Sequence, residues 1–220
     1  MPTGHVIVEA AVETVDAALG AERAGADRLE LCADLANGGT TPSLELIDTV
    51  IAATALPVQV MVRPRIGDFV YAAAEIAQMI EQIELICARN PAGIVTGAIG
   101  ADRNLDVPNV KRLVSAASTT PVTFHRAFDR LTSPADALEP LVDLGIGRIL
   151  TSGGASSASE GLDQLAALVE RARGRIVILA GGGVRAHNVR EIVARTGVHE
   201  VHARFVDYAQ MKALVAAARD

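Results

Sequence analysis

Three residues of this sequence combine a proton-transferring side chain with a position at or near the end of a short apolar run. They are Glu9, Glu30 and His125. Carboxyl and imidazole groups are common general acids and bases, and the same set could bind a metal loosely through oxygen and nitrogen. Structural ion pairing with nearby arginines is the alternative. Neither a His-x-His nor a His-Glu-x-x-His motif occurs, so no metal-binding spacing decides between these roles.

A second group of residues is suited to holding a small anion. Guanidinium groups bind phosphate and carboxylate through paired hydrogen bonds. Glycines between a strand and a helix can point backbone N–H groups at the same charge. The alternatives are tight turns without a ligand and, for Arg63 and Arg65, a salt bridge with Glu30 or Glu9. The predicted anion-binding residues are Arg63, Arg65, Arg126, Ser152, Gly153, Gly181, Gly182 and Gly183.

Cysteine and lysine are both scarce in the chain. Cys32 and Cys87 are too few for a disulfide scaffold, which favours a reducing compartment. Cys32 ends an apolar run and is the candidate metal ligand, although a small buried side chain is its more common role. The two lysines, Lys111 and Lys212, fall in helical patterns. Schiff-base chemistry needs a desolvated lysine among the strands, so this sequence excludes it.

Eight apolar runs alternate with eight amphipathic segments, and these elements must position the candidate residues. The runs are rich in Val, Ile and Leu, as is typical of parallel strands buried on both faces. The amphipathic segments repeat apolar residues at helical spacing. The predicted strands are His5–Glu9, Arg28–Cys32, Val58–Val62, Gly93–Gly97, Val122–His125, Arg148–Ser152, Arg175–Ala180 and Glu200–Ala203. The predicted helices are Val12–Ala24, Leu44–Ala55, Ala72–Ala88, Val110–Ala117, Ala135–Leu144, Leu162–Ala172, Val189–Arg195 and Ala209–Ala218.

Eight such units in 220 residues predict an α/β protein, a single-domain (β/α)8 TIM barrel that comprises residues 1–220. An open doubly wound sheet is the alternative. That fold usually has a glycine-rich loop after its first strand, whereas Glu9-Ala10-Ala11 stands there. In a barrel, polar residues at the carboxyl ends of the strands form the functional site. We therefore expect a polar, arginine-rich cup above an aliphatic barrel.

Charge and hydropathy exclude several classes of partner. The net charge of −6 argues against nucleic acid, which needs a basic surface to replace phosphate counterions, and against an anionic membrane surface. No apolar stretch approaches the 18 residues of a membrane span, and the first ten residues lack the pattern of a signal peptide. We expect a cytoplasmic protein that binds neither nucleic acid nor membrane.

Eight segments of the chain carry a resemblance to a known family: residues 25–32, 37–43, 63–65, 67–69, 121–129, 151–153, 181–183 and 200–203. Together these segments resemble the CutC family of copper homeostasis proteins. The resemblance implies a cytoplasmic barrel involved in copper homeostasis, copper as a bound ion, and assembly into a homo-oligomer. Some family members carry a cysteine after the first-strand glutamate, where this chain has Ala10-Ala11. Cys32 therefore lacks that second thiolate, the ligand type that Cu(I) prefers.

Two functions follow from these observations, and the residues leave open whether the protein is an enzyme. The first is a CutC-like copper homeostasis protein, copper-binding by resemblance, with a strand-end pocket for a small anion. The second is an isomerase, epimerase or lyase that acts on a small phosphorylated or carboxylated metabolite. Two guanidinium groups beside the site would repel a cation and attract a phosphate, which favours the anion pocket.

Overall fold

The computed structural model describes residues 5–220, and their eight strands close into a barrel. Every strand is parallel to its neighbours, and the first strand pairs with the eighth. The predicted (β/α)8 barrel is therefore confirmed. The strands are β1 Ile7–Val12, β2 Arg28–Leu31, β3 Val58–Met61, β4 Gly93–Thr96, β5 Val122–Phe124, β6 Arg148–Thr151, β7 Val177–Ala180 and β8 Glu200–Arg204. The helices are α1 Val15–Arg23, α2 Leu44–Ala53, α3 Ala73–Cys87, α4 Val107–Ala117, α5 Pro134–Asp143, α6 Leu162–Ala172, α7 Val189–Thr196 and α8 Tyr208–Arg219.

Local signals in the sequence set the ends of several helices. The Thr14 hydroxyl accepts a hydrogen bond from the N–H of Ala17 and so caps the start of α1. Gly197 caps the C-terminal end of α7 with a φ of 74°, a left-handed conformation that glycine adopts without strain. These caps fix where α1 begins and where α7 ends.

The main hydrophobic core lies between the strands and the surrounding helices. Side chains alternate between the two faces of a strand, and the outward-facing set is aliphatic. Val8, Leu29 and Val60 are fully buried members of this layer. No helix within residues 5–220 has both the length and the hydropathy to cross a membrane.

The interior of the barrel is charged, and the prediction of an aliphatic interior is wrong. Arg28 donates from Nε to Glu9 and from Nη2 to Glu200, each at 2.5 Å. Arg148 donates to the same Glu200 oxygen at 2.7 Å. Glu9 also does not end its strand as predicted, because β1 continues to Val12. The carboxylate of Glu9 therefore lies within the barrel, in a network of opposite charges that compensate one another.

Candidate functional site

The carboxyl ends of the strands enclose a cavity of about 210 Å³, which we call the central cavity. Its lining includes five of the predicted site residues: Glu30, His125, Arg126, Gly182 and Gly183. Met61, Phe69 and Leu150 contribute apolar surface to it. A small cavity with apolar walls and a few converging polar groups is the usual form of a metabolite site.

Glu30 contributes a buried carboxyl group that is only partly paired. Its Oε1 accepts a hydrogen bond from the Cys32 thiol, with Sγ 3.2 Å away. Its Oε2 has no hydrogen-bond partner among the described residues, and His202 Nδ1 lies 3.7 Å from it. Burial raises the pKa of Glu30, and the nearby charge of His202 offsets only part of that effect. Glu30 therefore presents a free oxygen, with a raised proton affinity, beside the cavity.

His202, which the sequence analysis did not assign, connects the cavity to the charged interior. Its Nδ1 lies 2.8 Å from Glu9 Oε1. Burial disfavours the charged ring, but the charge of Glu30 and the hydrogen bond to Glu9 raise the pKa of His202. The position of His202, near the end of the last strand, was the signal that could have identified it.

Glu9 is held as an anion beneath the cavity. Burial alone would raise its pKa, but the hydrogen bond from His202 and the charge of Arg28 outweigh burial and lower the pKa of Glu9 to about 2. Glu9 is not part of the lining of the central cavity. This corrects its expected position beside the proton-transferring groups, since the geometry makes Glu9 a partner that positions His202.

His125 contributes a neutral imidazole whose tautomer is fixed by its surroundings. Its Nδ1 accepts the backbone N–H of Ala127 at 3.3 Å, so the ring proton is on Nε2. Nε2 is buried and has no partner among the described residues. Burial and the charge of Arg63 lower the pKa of His125 to about 3. Phe69 packs against the ring with a centroid separation of 4.7 Å. His125 therefore offers one N–H donor that the protein itself leaves unused.

Three arginines line the central cavity, and only Arg126 was among the predicted anion-binding residues. Arg126 pairs with Asp129 at 2.8 Å and donates to the Ser152 hydroxyl at 2.9 Å. The other two are Arg185, in the loop after β7, and Arg204, the last residue of β8. Because both follow the general rule for strand ends, their positions in the sequence could have identified them.

Arg63 and Arg65 make their contacts within the protein. Arg63 is buried, and it donates to three backbone carbonyl groups in the loops after β2 and β3. Arg65 pairs with Glu75 at 2.6 Å and with Asp68 at 3.0 Å, and it does not line the central cavity. Arg63 and Arg65 therefore do not converge on the central cavity as expected, although Arg63 lines a neighbouring cavity together with Arg126. Among the described residues, neither arginine forms the alternative salt bridge with Glu30 or Glu9.

The loop after β6 is occupied by a carboxylate of the protein itself. Asp129 Oδ1 accepts the N–H groups of Ser152 and Gly154 at 3.0 Å and the hydroxyl of Thr151 at 2.5 Å. The N–H of Gly153 donates to that same hydroxyl oxygen at 2.9 Å. Asp129 thus takes the position that the sequence analysis gave to a bound anion at Ser152 and Gly153.

The loop after β7, in contrast, contributes two glycines to the lining of the central cavity. Gly182 and Gly183 have φ values of 95° and 74°, and their N–H groups have no acceptor within residues 5–220. Gly181 belongs instead to the sheet, since its N–H donates to the carbonyl of Thr151 at 2.9 Å. Of the three predicted glycines, the second and third therefore line the cavity with backbone N–H groups that are unpaired among the described residues.

The two thiols do not form a common metal site. Cys32 is fully buried, and burial together with the charges of Glu30 and Glu9 raises the pKa of its thiol well above the usual value. Cys87 lies at the end of α3, outside the barrel, where its Sγ is 3.8 Å from the carbonyl of Ala117. These residues therefore do not fit a two-thiolate Cu(I) centre.

Glu9, Glu30 and His202 bring one possible ligand atom each within 4.8 Å of one another. Arg28 is already hydrogen bonded to Glu9, however, at 2.5 Å. Its positive charge, together with the raised pKa of His202, opposes a cation at this place. The cluster is better suited to sharing a proton than to binding a metal.

The fold and the site define a (β/α)8-barrel protein with a cavity lined partly by polar residues at its strand ends. The chain belongs to the CutC family, whose sequence model matches residues 6–207. The human copper homeostasis protein cutC homolog is 44% identical over 89% of this chain and 72% of its own length. A family protein CutC from Parabacteroides distasonis is 44% identical over 94% of this chain and 86% of its own.

Solved structures agree with this assignment. A CutC protein from Streptococcus agalactiae matches with a TM-score of 0.86 and 33% identity, covering 91% of this chain and all of the other. N-(5'-phosphoribosyl)anthranilate isomerase from Pyrococcus furiosus matches with a TM-score of 0.65 at 15% identity, over 98% of this chain and 99% of its own. The second similarity shows the barrel fold alone.

Proposed function

We propose that this protein acts in copper homeostasis, as its human and mouse relatives are named, and that its working site binds a small anion. The observation that supports the anion is the convergence of Arg126, Arg185 and Arg204 with the Gly182–Gly183 loop on one cavity. Guanidinium groups and free backbone N–H groups together form a typical site for phosphate or carboxylate.

The other polar atoms of the cavity are compatible with such a ligand. His125 offers an N–H donor, and Glu30 offers a buried oxygen, Oε2, that has no hydrogen-bond partner among the described residues. The cavity of about 210 Å³ can accommodate a metabolite of a few carbon atoms. A small phosphorylated or carboxylated compound meets these requirements.

Thermal unfolding with inorganic phosphate, phosphoglycolate and malonate as probes tests this proposal. A probe at 100 times its Kd should stabilise the protein by about 2.7 kcal/mol and raise Tm by about 5–10 °C. The shift should decrease in Arg185→Gln and Arg204→Gln. It should persist in Arg65→Gln, because Arg65 lies outside the cavity. Absence of a shift with all three probes, or equal shifts in all variants, would contradict the anion site.

The role of copper requires a separate measurement. Since a single buried thiol lies near the cavity, we propose that Cu(I) is not held as a resident ion at Cys32. In an anaerobic Cu(I) titration, the wild type and Cys32→Ser should bind the same amount of metal. Stoichiometric binding that disappears in Cys32→Ser would instead make Cys32 a copper ligand.

A further inference from the structure

We propose that the central cavity catalyses proton transfer at a carbon next to a carbonyl group, with Glu30 as the base and His125 as the donor to the carbonyl oxygen. This activity rests on the anion-binding function above and adds a reaction to it. Two unpartnered polar atoms support it: Glu30 Oε2 and His125 Nε2 are both buried, and both residues line this cavity. Buried polar atoms normally have partners, so a ligand that satisfies both is expected.

The two groups approach the cavity from different parts of its wall. Glu30 is on β2 and His125 directly follows β5, so β3 and β4 separate them along the barrel. The arginines and the Gly182–Gly183 loop border the same space. An anionic end held there would leave the remainder of a short substrate between the carboxyl and imidazole groups, the placement that acid–base catalysis requires.

His125 is suited to stabilising negative charge on oxygen. Its Nδ1 is engaged by the N–H of Ala127, and burial with the charge of Arg63 holds its pKa near 3. The imidazole therefore stays neutral and keeps its Nε2 proton at physiological pH. A neutral imidazole N–H that polarises a carbonyl, opposite a carboxylate base, is an established arrangement for enolisation in barrels.

Glu30 is suited to the role of base. The groups that face it are the Cys32 thiol, His202, Glu9 and Arg28. Burial raises its pKa, which brings the proton affinity of Glu30 closer to the working pH, while His202 stabilises the ionised form. The exchange rate should rise with pH as Glu30 ionises.

The proposed step balances without any co-reactant. Glu30 carboxylate removes a proton from the carbon beside the carbonyl, and the C–H electron pair forms a carbon–carbon double bond. The carbonyl π electrons move to oxygen, which accepts the hydrogen bond from His125 Nε2. Return of the proton from Glu30 to the same carbon regenerates the substrate. Isomerisation of a hydroxycarbonyl compound also transfers the hydroxyl proton to the former carbonyl oxygen: His125 gives its Nε2 proton to that oxygen and takes up the hydroxyl proton, while Glu30 returns its proton to the former carbonyl carbon. The substrate class is a small hydroxycarbonyl or 2-oxo compound with a phosphate or carboxylate end.

Proton exchange in D2O, followed by NMR, tests the reaction with dihydroxyacetone phosphate and 2-oxobutyrate as probes. Wild-type protein should exchange the hydrogens beside the carbonyl of at least one probe above the buffer rate. Glu30→Gln and His125→Phe should lose exchange by a factor of about 10² or more. His125→Gln, which keeps an N–H donor, should retain more exchange than His125→Phe, and Arg65→Gln should behave as wild type.

Phosphate binding, measured by thermal shift in the same samples, separates the two proposals. Phosphate stabilisation of the wild type without exchange of either probe would overturn the proton transfer and leave the anion site intact. If phosphate does not stabilise the wild type, the anion site itself is overturned. Exchange that persists at the wild-type rate in Glu30→Gln would overturn Glu30 as the base.

Discussion

Among single residues, the position of the His125 ring depends on the absence of a side chain at Gly97. A Cβ built on Gly97 would lie 2.9 Å from His125 Nδ1 and 3.0 Å from a ring carbon of Phe124. Contacts this short force a neighbour to move. Gly97 thus leaves room for the imidazole ring of His125, which lines the cavity.

We expect Gly97→Ala to displace His125 and to weaken the site. Overpacking of this kind should cost about 1–3 kcal/mol of unfolding free energy and should reduce both phosphate stabilisation and proton exchange. Urea unfolding and the assays above would measure these effects. Gly147→Ala is the matched control, because its Cβ would meet its nearest atom, the carbonyl oxygen of Val122, at 3.8 Å. Equal losses in both variants would contradict a specific role for Gly97.

Residue spacing predicted the positions of some site residues correctly and those of others incorrectly. Glu30 and His125 were predictable because polar residues at strand ends converge in a barrel. Arg63 and Arg65 occupy similar positions, but their partners are loop carbonyl groups and Glu75. Those contacts depend on how the loops fold back, which residue spacing does not encode.

At the level of elements, Asp129 joins the short 3₁₀ helix after β5 to the loop after β6. Asp129 lies in the helix Arg126–Arg130, and its carboxylate accepts hydrogen bonds from Thr151, Ser152 and Gly154. The carboxylate of Asp129, which belongs to the neighbouring βα unit, therefore accepts the hydrogen bonds of the loop after β6. This contact also holds Arg126 at the cavity through the ion pair of 2.8 Å.

We expect Asp129→Ala to leave these donors unpaired and to destabilise the protein by about 1–3 kcal/mol. Formate, which can replace the missing carboxylate, should restore part of the loss in this variant and should stabilise the wild type less. Thermal unfolding with and without formate measures both effects. Asp136→Ala, at an exposed ion pair of 3.9 Å, should change stability by less than about 1 kcal/mol. No difference between the variants in their response to formate would contradict the internal-anion assignment.

The eight strands and eight helices were predictable because their hydrophobic pattern repeats, but the first strand was placed too early. It was predicted as His5–Glu9 and extends over Ile7–Val12. Ala10 and Ala11 have weak strand propensity, yet they pair with both β2 and β8. Tertiary pairing overrides that local preference, and the shift moves Glu9 from the expected strand end into the barrel.

For the molecule as a whole, the buried charges predict how stability depends on pH. The pKa of His125 is lowered to about 3. The neutral imidazole therefore contributes fully to the free energy of unfolding above its ordinary pKa of about 6.5. This contribution is lost as the pH falls from about 6.5 toward 3, because the unfolded chain takes up a proton there and the folded protein does not. The pKa of Glu9 is lowered from 4.5 to about 2, so its contribution disappears between pH 4.5 and 2. The free energy of unfolding should therefore fall in two stages, which urea titrations at several pH values would show. His125→Phe should abolish most of the fall between pH 6.5 and 4.5, and an unchanged profile in that variant would contradict the assignment.

The ion network inside the barrel also couples the stability of the whole fold to the cavity. Arg28→Met would remove a partner from Glu9 and Glu200, and breaking a buried pair in this way typically costs about 3–5 kcal/mol. The double variant Arg28→Met/Glu9→Gln should recover part of that loss in urea unfolding, because it no longer buries an uncompensated carboxylate. Arg175→Met, which removes an exposed pair with Glu139, should cost less than about 1 kcal/mol.

The same Arg28 and Glu9 variants test whether the ion network also affects phosphate binding in the central cavity. Glu9 holds His202 by a hydrogen bond of 2.8 Å, and His202 lies 3.7 Å from Glu30. The double variant could regain stability while phosphate still stabilises it less than the wild type. In that case Glu9 positions His202 beside the cavity as well as stabilising the fold. Full recovery of phosphate stabilisation in the double variant would restrict Arg28 and Glu9 to a structural role, because the cavity would then keep its geometry without their charges.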